Sequence, residues 1–327
     1  MHNTVSTKAL AEGALLAIIT AIIALAGAYI PLASFVTFLV VAIPIIIVIV
    51  RNNLSTGIIA SIVAAFLVGV LAGPLVALFF YLQFMLMAIA YGHLFKYKYN
   101  SGRILAVGTF VAAFSTVLII AITMLVGQVG LEQQKQALFE TVDRTINIYE
   151  DYGMMKQFED KGIDREELRT MLADMVQLFI RVLPALLIMG SVFTAITHFI
   201  VARIALKRLG HEIPKFPLFS EWHLPWYAIW GLIVGLASYL LGDIYNQDIW
   251  RILGQNIMIT YGLILFVLGL AVIAYYIRKH QISRIVRLII ILMAVIMLNG
   301  FIISTIFIGM FDLVVDHRKL NTRQEET

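Results

Sequence analysis

The chain carries at residues 104–126 the stretch ILAVGTFVAAFSTVLIIAITMLV, which holds 23 residues and no charged side chain. In a helix that rises ~1.5 Å per residue, about 20 such residues cover the ~30 Å hydrocarbon core of a bilayer. Similar runs recur along the chain, whose 327 residues are 61% hydrophobic and only 13% charged. The sequence therefore predicts an all-α fold, a polytopic transmembrane helix bundle.

Nine apolar runs are long enough to be spans, and an eight-span count stays open. We predict them at about 10–29, 35–50, 54–71, 74–91, 104–126, 175–206, 226–241, 252–276 and 285–311. The predicted domains are a five-span bundle at 1–126, an acidic extracytoplasmic helical hairpin at 127–174, four further spans at 175–311 and a polar tail at 312–327.

Lysines and arginines collect in alternate connections between these spans. One set of connections contains Lys8, Arg51, Lys96, Lys98, Arg103, Arg203, Lys207, Arg208, Lys215, Arg278, Lys279, Arg284 and Arg287. The short connections on the opposite side contain a single basic residue, Arg251. By the positive-inside rule the first set faces the cytoplasm, which predicts a multi-pass protein of the cytoplasmic membrane with its N-terminus inside. A nine-span count then puts the tail outside, whereas an eight-span count puts it inside.

Residues 128–174 differ in kind, because they carry eleven acidic against six basic side chains. Apolar residues such as Leu138, Val142 and Ile146 recur at helical spacing along the first part. After Gly162, a capping pattern at Asp164 predicts one long helix from about residue 165 to 208. This hairpin has three open interpretations: a lid over an outward-facing site, a docking surface for a partner, or a connector whose apolar stripe joins its two helices.

Several motifs in the first 126 residues resemble the substrate-binding subunit of an energy-coupling-factor vitamin transporter. They are the small residues Ala17, Ala21, Ala24 and Ala28 of the first helix, Pro44 in the second, NNLSTG at 52–57 and AGP at 72–74. The resemblance implies that those alanines pack against a transmembrane coupling subunit; ordinary intramolecular packing is the alternative. The whole chain resembles the YybS-like family of bacterial membrane proteins, a family with no established activity. This resemblance implies that the protein lies in a bacterial cell membrane.

Polar residues inside predicted spans are expensive in hydrocarbon and are therefore candidates for function. Gln83, His198 and Asn299 are neutral donors and acceptors near mid-span, and Tyr81 lies one helical half-turn before Gln83. We predict these four as ligand-binding residues for an uncharged or zwitterionic solute. The alternative is that the amides form hydrogen bonds between helices and that His198 bonds to a neighbouring backbone.

The sequence indicates no enzyme. It contains no phosphate-binding glycine loop, no His-Glu-x-x-His and no nucleophile elbow, and it has no cysteine. We therefore predict no catalytic residues, no metal, no cofactor and no nucleic acid. The predicted partner is the lipid bilayer, and the candidate protein partner is a transporter coupling subunit. The leading hypothesis is a protein that binds or transports a small solute. The alternative is a membrane scaffold or regulator that binds a partner protein through the small-residue helix or the hairpin.

Overall fold

The computed structural model describes residues 6–128, 130–318 and 320. Within these residues the protein is all-helical, without strands, and nine helices are long and apolar enough to cross a membrane. The predicted fold class is confirmed. The chain forms two compact units. The first contains the described residues up to Leu138 and Leu187–Lys215, and the second contains Phe139–Leu186 and the described residues from Phe216 onward.

Local sequence signals set the helix bounds of the first unit. Ser6, Asn53 and Asn100 each accept a backbone N–H bond at a helix start, and Pro31 and Pro74 occupy first helical positions, where their missing N–H costs nothing. The helices are α1 (Thr7–Tyr29), α2 (Pro31–Val40), α3 (Ile43–Arg51), α4 (Leu54–Ala72), α5 (Pro74–Phe80), a π-helical turn (Tyr81–Met85), α6 (Leu86–Lys96) and α7 (Ser101–Gly127).

The small side chains of α1 pack inside this unit. Ala17, Ala21 and Ala24 are buried, and α1 lies against α4 over much of its length. Small residues let the two helix backbones approach closely in lipid. These three alanines therefore pack within the unit, whereas Ala28 is exposed. Contact of the α1 alanines with a separate coupling subunit stays a prediction. The face of α1 that stays exposed carries larger residues such as Ile18 and Ile22.

The hairpin consists of α8 (Leu131–Asp151), α9 (Met155–Glu159) and the start of α10 (Arg165–Arg208). The predicted long helix is confirmed with the predicted bounds, and the Asp164 carboxylate accepts the Glu167 N–H at 2.7 Å to cap it. Val142 and Ile146 are buried. Arg169 bonds to Asp143 across the hairpin at 2.7 Å. This geometry favours the connector interpretation of the hairpin, because Val142 and Ile146 of its apolar stripe are covered by its own chain, whereas Leu138 is 38% exposed.

The second unit adds α11 (Ile229–Ile244), α12 (Asp248–Lys279), α13 (Arg284–Ile296) and α14 (Leu298–Val315). Glycines set its closest helix contacts. A Cβ at Gly242 would overlap the backbone of Arg251, which shows how closely α11 approaches α12. A Cβ at Gly309 would likewise overlap the carbonyl of Leu265, where α14 crosses α12. A core of Leu265, Leu268 and Leu313 lies between these helices.

The predicted ninth span at 285–311 needs correction. The helix is interrupted at Met297, whose backbone (φ −105°, ψ 41°) leaves the helical region. Apolar runs flank this break, so periodicity alone does not indicate it, although the Asn299–Gly300 pair lies just beyond it. Of the two helices on either side of Met297, α14 is long enough to count as a span and α13 is not.

The start of the tail is bound to the segment that precedes α11. The Arg318 guanidinium is fully buried and bonds to the Asp312 carboxylate at 2.7 Å. It also donates to the carbonyls of Ser220 at 2.8 Å and Trp222 at 2.7 Å. Arg318 therefore lies beside the segment that the charge pattern placed inside, whereas the nine-span count placed the tail outside.

Candidate functional site

A hollow of about 370 Å³ lies in the first unit and is the best candidate site. Helices α1, α2, α4, α5 and α7 and the π-helical turn all contribute to its wall. The lining residues are Ala24, Gly27, Ala28, Ser34, Thr37, Val68, Val76, Phe79, Phe80, Gln83, Phe84 and Ile119. The wall is mostly apolar and aromatic, with a few polar groups, which is the usual character of a small-molecule pocket.

Gln83 reaches this hollow because the backbone widens there into a π-helical turn. The Leu86 N–H bonds to the Tyr81 carbonyl, five residues earlier. Such an insertion of one residue into a helix rotates the side chains around it and is frequent at functional sites. Among the described residues, the half-buried Gln83 side chain has no hydrogen-bond partner. Its amide is therefore free to bond to a ligand in the hollow.

The other polar groups of the wall already have partners. Thr37 donates its hydroxyl to the Ile23 carbonyl at 2.9 Å, and Ser34 donates to the Pro31 carbonyl at 2.6 Å. Both hydroxyl oxygens keep acceptor capacity. Gln83 is consequently the side chain on which binding of a polar solute group depends most.

His198 lies behind the wall. The side chain is 1% exposed and packs edge-on against Phe38 at 5.1 Å and parallel to Phe84 at 6.2 Å between ring centroids. Neither ring nitrogen makes a well-formed hydrogen bond with the described residues, although the Phe38 backbone is near enough to interact with the ring. Phe84 thus separates His198 from the hollow. A ligand that displaces this ring would expose the imidazole.

Of the four predicted ligand-binding residues, Gln83 alone lines this hollow. His198 contacts Phe84, one of the lining residues, but is not itself part of the lining. Tyr81 lines a different hollow of about 560 Å³ between α4 and α5, whose other lining residues are apolar. Asn299 is exposed near the start of α14 and belongs to the second unit.

Sequence reasoning missed one buried amide, Asn256 of α12. Its side chain accepts the Ala185 N–H and donates to the Arg181 carbonyl, both at 2.8 Å. In an undisturbed helix these two backbone groups would bond to each other, but Pro184 lies between them. A polar residue in an apolar run, together with a proline in another run, was the available signal. The described residues contain no cluster suited to a metal ion.

Comparisons with known proteins give a family without a described activity. The family model described as predicted membrane protein (DUF2232) matches residues 18–313. The chain is 26% identical over 280 residues to the uncharacterized protein YybS of Bacillus subtilis (strain 168), which covers 84% of this chain and 86% of that protein. No solved structure matches the chain. The resemblance to the YybS-like family is confirmed, whereas the resemblance of residues 1–126 to a transporter subunit stays a prediction.

Proposed function

Since this chain belongs to the family of predicted membrane proteins (DUF2232), we propose that it is a multi-pass membrane protein that binds a small, uncharged and mainly apolar solute. The site is the hollow around Gln83. The observation that carries the proposal is a mid-span amide without a partner at the edge of an aromatic hollow. An unpaired polar group in hydrocarbon costs free energy, and a ligand that bonds to it recovers that cost.

The lining of the hollow favours this solute class. None of its residues is charged, so an ionic ligand would lose its hydration without gaining a counter-charge. The volume of about 370 Å³ suits a small molecule. Three phenylalanines offer ring faces and edges, while Gln83 offers one donor group and one acceptor group.

Thermal stability of the purified protein in detergent, measured against a panel of uncharged metabolites, tests the proposal. We expect at least one compound to raise the melting temperature of wild type. Gln83→Leu keeps the bulk of the side chain and should abolish the shift. Tyr81→Phe, in the other hollow, is the matched control and should preserve it. Equal shifts in both variants, or none with any compound in wild type, would remove the basis for a site at Gln83.

We further propose that this binding serves transport across the bacterial cytoplasmic membrane, with the N-terminus inside. The chain carries no nucleotide-binding motif, so ATP-driven transport would require a coupling subunit. That subunit would contact the exposed α1 face at Ile18 and Ile22 rather than the buried alanines. Crosslinking from Ile22→Cys in native membranes should capture a partner, and Ala21→Cys serves as the buried control. Uptake of the identified solute into vesicles then decides between transport and binding alone.

A second candidate function, a scaffold that binds a partner protein, has one favourable observation. The turn of the hairpin exposes the large apolar side chains of Tyr152 (78%) and Met154 (42%). Tyr152→Ser together with Met154→Ser should release a hairpin-bound partner in pull-down experiments and leave solute-induced stabilisation unchanged. If the double variant retains every partner, the scaffold role of the hairpin is disproved.

A further inference from the structure

The segment from the end of α12 through α13 is positively charged without compensation. Five basic residues occur within ten positions: Arg278, Lys279, His280, Arg284 and Arg287. No acidic residue occurs anywhere between residues 249 and 311. Among the described residues, the four lysines and arginines are exposed and none of them forms an ion pair. This surface, residues 278–287, is called the basic corner below.

Helix α13 itself is apolar and unpacked. Eleven of its 13 residues are uncharged, and all 13 are exposed or half-buried. At ~1.5 Å per residue it is about 20 Å long, too short for the ~30 Å hydrocarbon core. A helix this apolar is not stable in water, so lipid must cover it.

The packing of α14 shows which way α13 runs. Thr305 lies opposite Gly269 and Gly309 lies opposite Leu265, which makes α14 antiparallel to α12. That register puts the first residue of α14, Leu298, near the level of Tyr276, close to the end of α12 at Lys279. Both ends of α13 are therefore at the same level along α12. The helix runs across the end of α12 rather than through the bilayer.

We propose that α13 is an interfacial helix and that the basic corner binds the phosphate groups of anionic phospholipids. Clusters of four or more cations next to a membrane-spanning helix attract anionic headgroups, at ~1 kcal/mol per cation. The local structure supports this assignment. Arg287 Nε bonds to the Ile282 carbonyl at 2.9 Å, which holds the turn before α13. Lys279 lies 5.8 Å from the Tyr275 ring, and tyrosine is typical of the membrane interface.

In the test, the full-length protein in detergent is titrated with phosphatidylglycerol or with phosphatidylcholine. Native mass spectrometry counts the lipids bound to each protein molecule. Wild type should prefer phosphatidylglycerol. The double variant Arg284→Gln, Arg287→Gln should lose roughly thirty-fold in affinity for it, from two cations. Arg284→Lys with Arg287→Lys keeps both charges and should retain binding, which would assign the loss to the removed charge; an unchanged melting temperature of the glutamine variant would exclude misfolding as the cause. Lys135→Gln with Lys156→Gln, in the hairpin, is the charge-matched control and should have no effect.

A second measurement tests the orientation of α13. The chain has no cysteine, so a single cysteine carries a depth-sensitive label unambiguously. Labels at Ile285→Cys and Ile296→Cys, in vesicles of phosphatidylglycerol and phosphatidylcholine, should report similar, shallow depths. A deep label at one end, equal binding of the two lipids by wild type, or a dimer that forms through α13 and shields both labels would overturn the proposal.

Discussion

The amide of Asn256 bonds to two backbone groups beside Pro184, and this arrangement gives a sharp prediction. Proline has no N–H to donate to the Ile180 carbonyl and its ring crowds the preceding turn, from which we infer that the neighbouring bond between the Ala185 N–H and the Arg181 carbonyl is weakened as well. The Asn256 side chain, 8% exposed, lies between them and bonds to both. Asn256→Leu keeps the approximate volume but leaves both backbone groups unpaired in a buried position.

Two unpaired groups set the expected magnitude. An unsatisfied buried polar group costs ~1–3 kcal/mol, and interhelical hydrogen bonds inside membranes are at the low end of such values. We therefore expect Asn256→Leu to lower the free energy of unfolding by about 2–4 kcal/mol. In a Pro184→Ala background the helix can close its own bond between residues 181 and 185. The same Asn256 substitution should then cost less than about 1 kcal/mol, a clear coupling in a double-mutant cycle.

Tryptophan fluorescence during denaturant unfolding is a suitable assay, because all four tryptophans belong to the second unit, where Asn256 also lies. The control is Gln255→Leu, one position earlier on α12. The buried Gln255 Oε1 has no partner among the described residues, so its removal should cost little. The reasoning is refuted if Asn256→Leu costs the same with proline or alanine at 184, or no more than Gln255→Leu.

Three other predictions concern packing and charge. Arg318→Ala should lower the free energy of unfolding by about 3–5 kcal/mol, because it leaves the buried Asp312 carboxylate without its partner. Arg251→Ala, whose partners are exposed, should lower it by ~1 kcal/mol or less in the same fluorescence assay. Gly242→Ala should destabilise by ~1–3 kcal/mol because its methyl group meets the α12 backbone, while Gly262→Ala, which meets nothing within 4 Å, should be tolerated. The hydrogen bond from Arg169 lowers the pKa of the Asp143 carboxyl below its usual value of about 4. The contribution of this pair to hairpin stability is therefore present above pH ~4 and is lost as the pH falls through the lowered pKa. The ratio of pepsin cleavage rates of the wild-type hairpin and of Asp143→Asn should therefore rise as pH drops from about 4 to about 2, because the ratio cancels the pH dependence of pepsin itself. A constant ratio would contradict the assignment.

The spans were predictable because hydrocarbon imposes one strong requirement on sequence. Each helix in lipid must be apolar over about 20 residues, and the charged residues must lie near its ends. The long α10 was predictable for a second reason, since Gly162 and Asp164 mark its start and, apart from Pro184 and Gly190, no helix-breaking residue follows until Gly210. Both signals depend on the chain's own local chemistry.

The break at Met297 and the role of the α1 alanines were not predictable in the same way. Long apolar runs flank Met297, and the local signal beside it is the Asn299–Gly300 pair, a turn dipeptide inside an otherwise apolar stretch. Small residues permit close packing against any helix, from the same chain or another. Which helix fills that place is decided by tertiary structure, and here α4 fills it.

Gln83 and Asn256 show why the site was harder to predict than the fold. Both are amides within apolar runs, and the cost of burying either one is similar. Asn256 lies beside the proline-containing helix and bonds to two of its backbone groups, so its amide is already hydrogen-bonded within the protein. Gln83 meets a hollow bounded by aromatic rings, and its polarity stays available. A candidate binding amide therefore meets two physical criteria: it has no protein partner and it lines a hollow. Gln255 also lacks a partner for its Oε1 but lines neither the Gln83 hollow nor the Tyr81 hollow. By these criteria Gln83 is the residue whose substitution should change ligand binding, and Asn256 the one whose substitution should change stability.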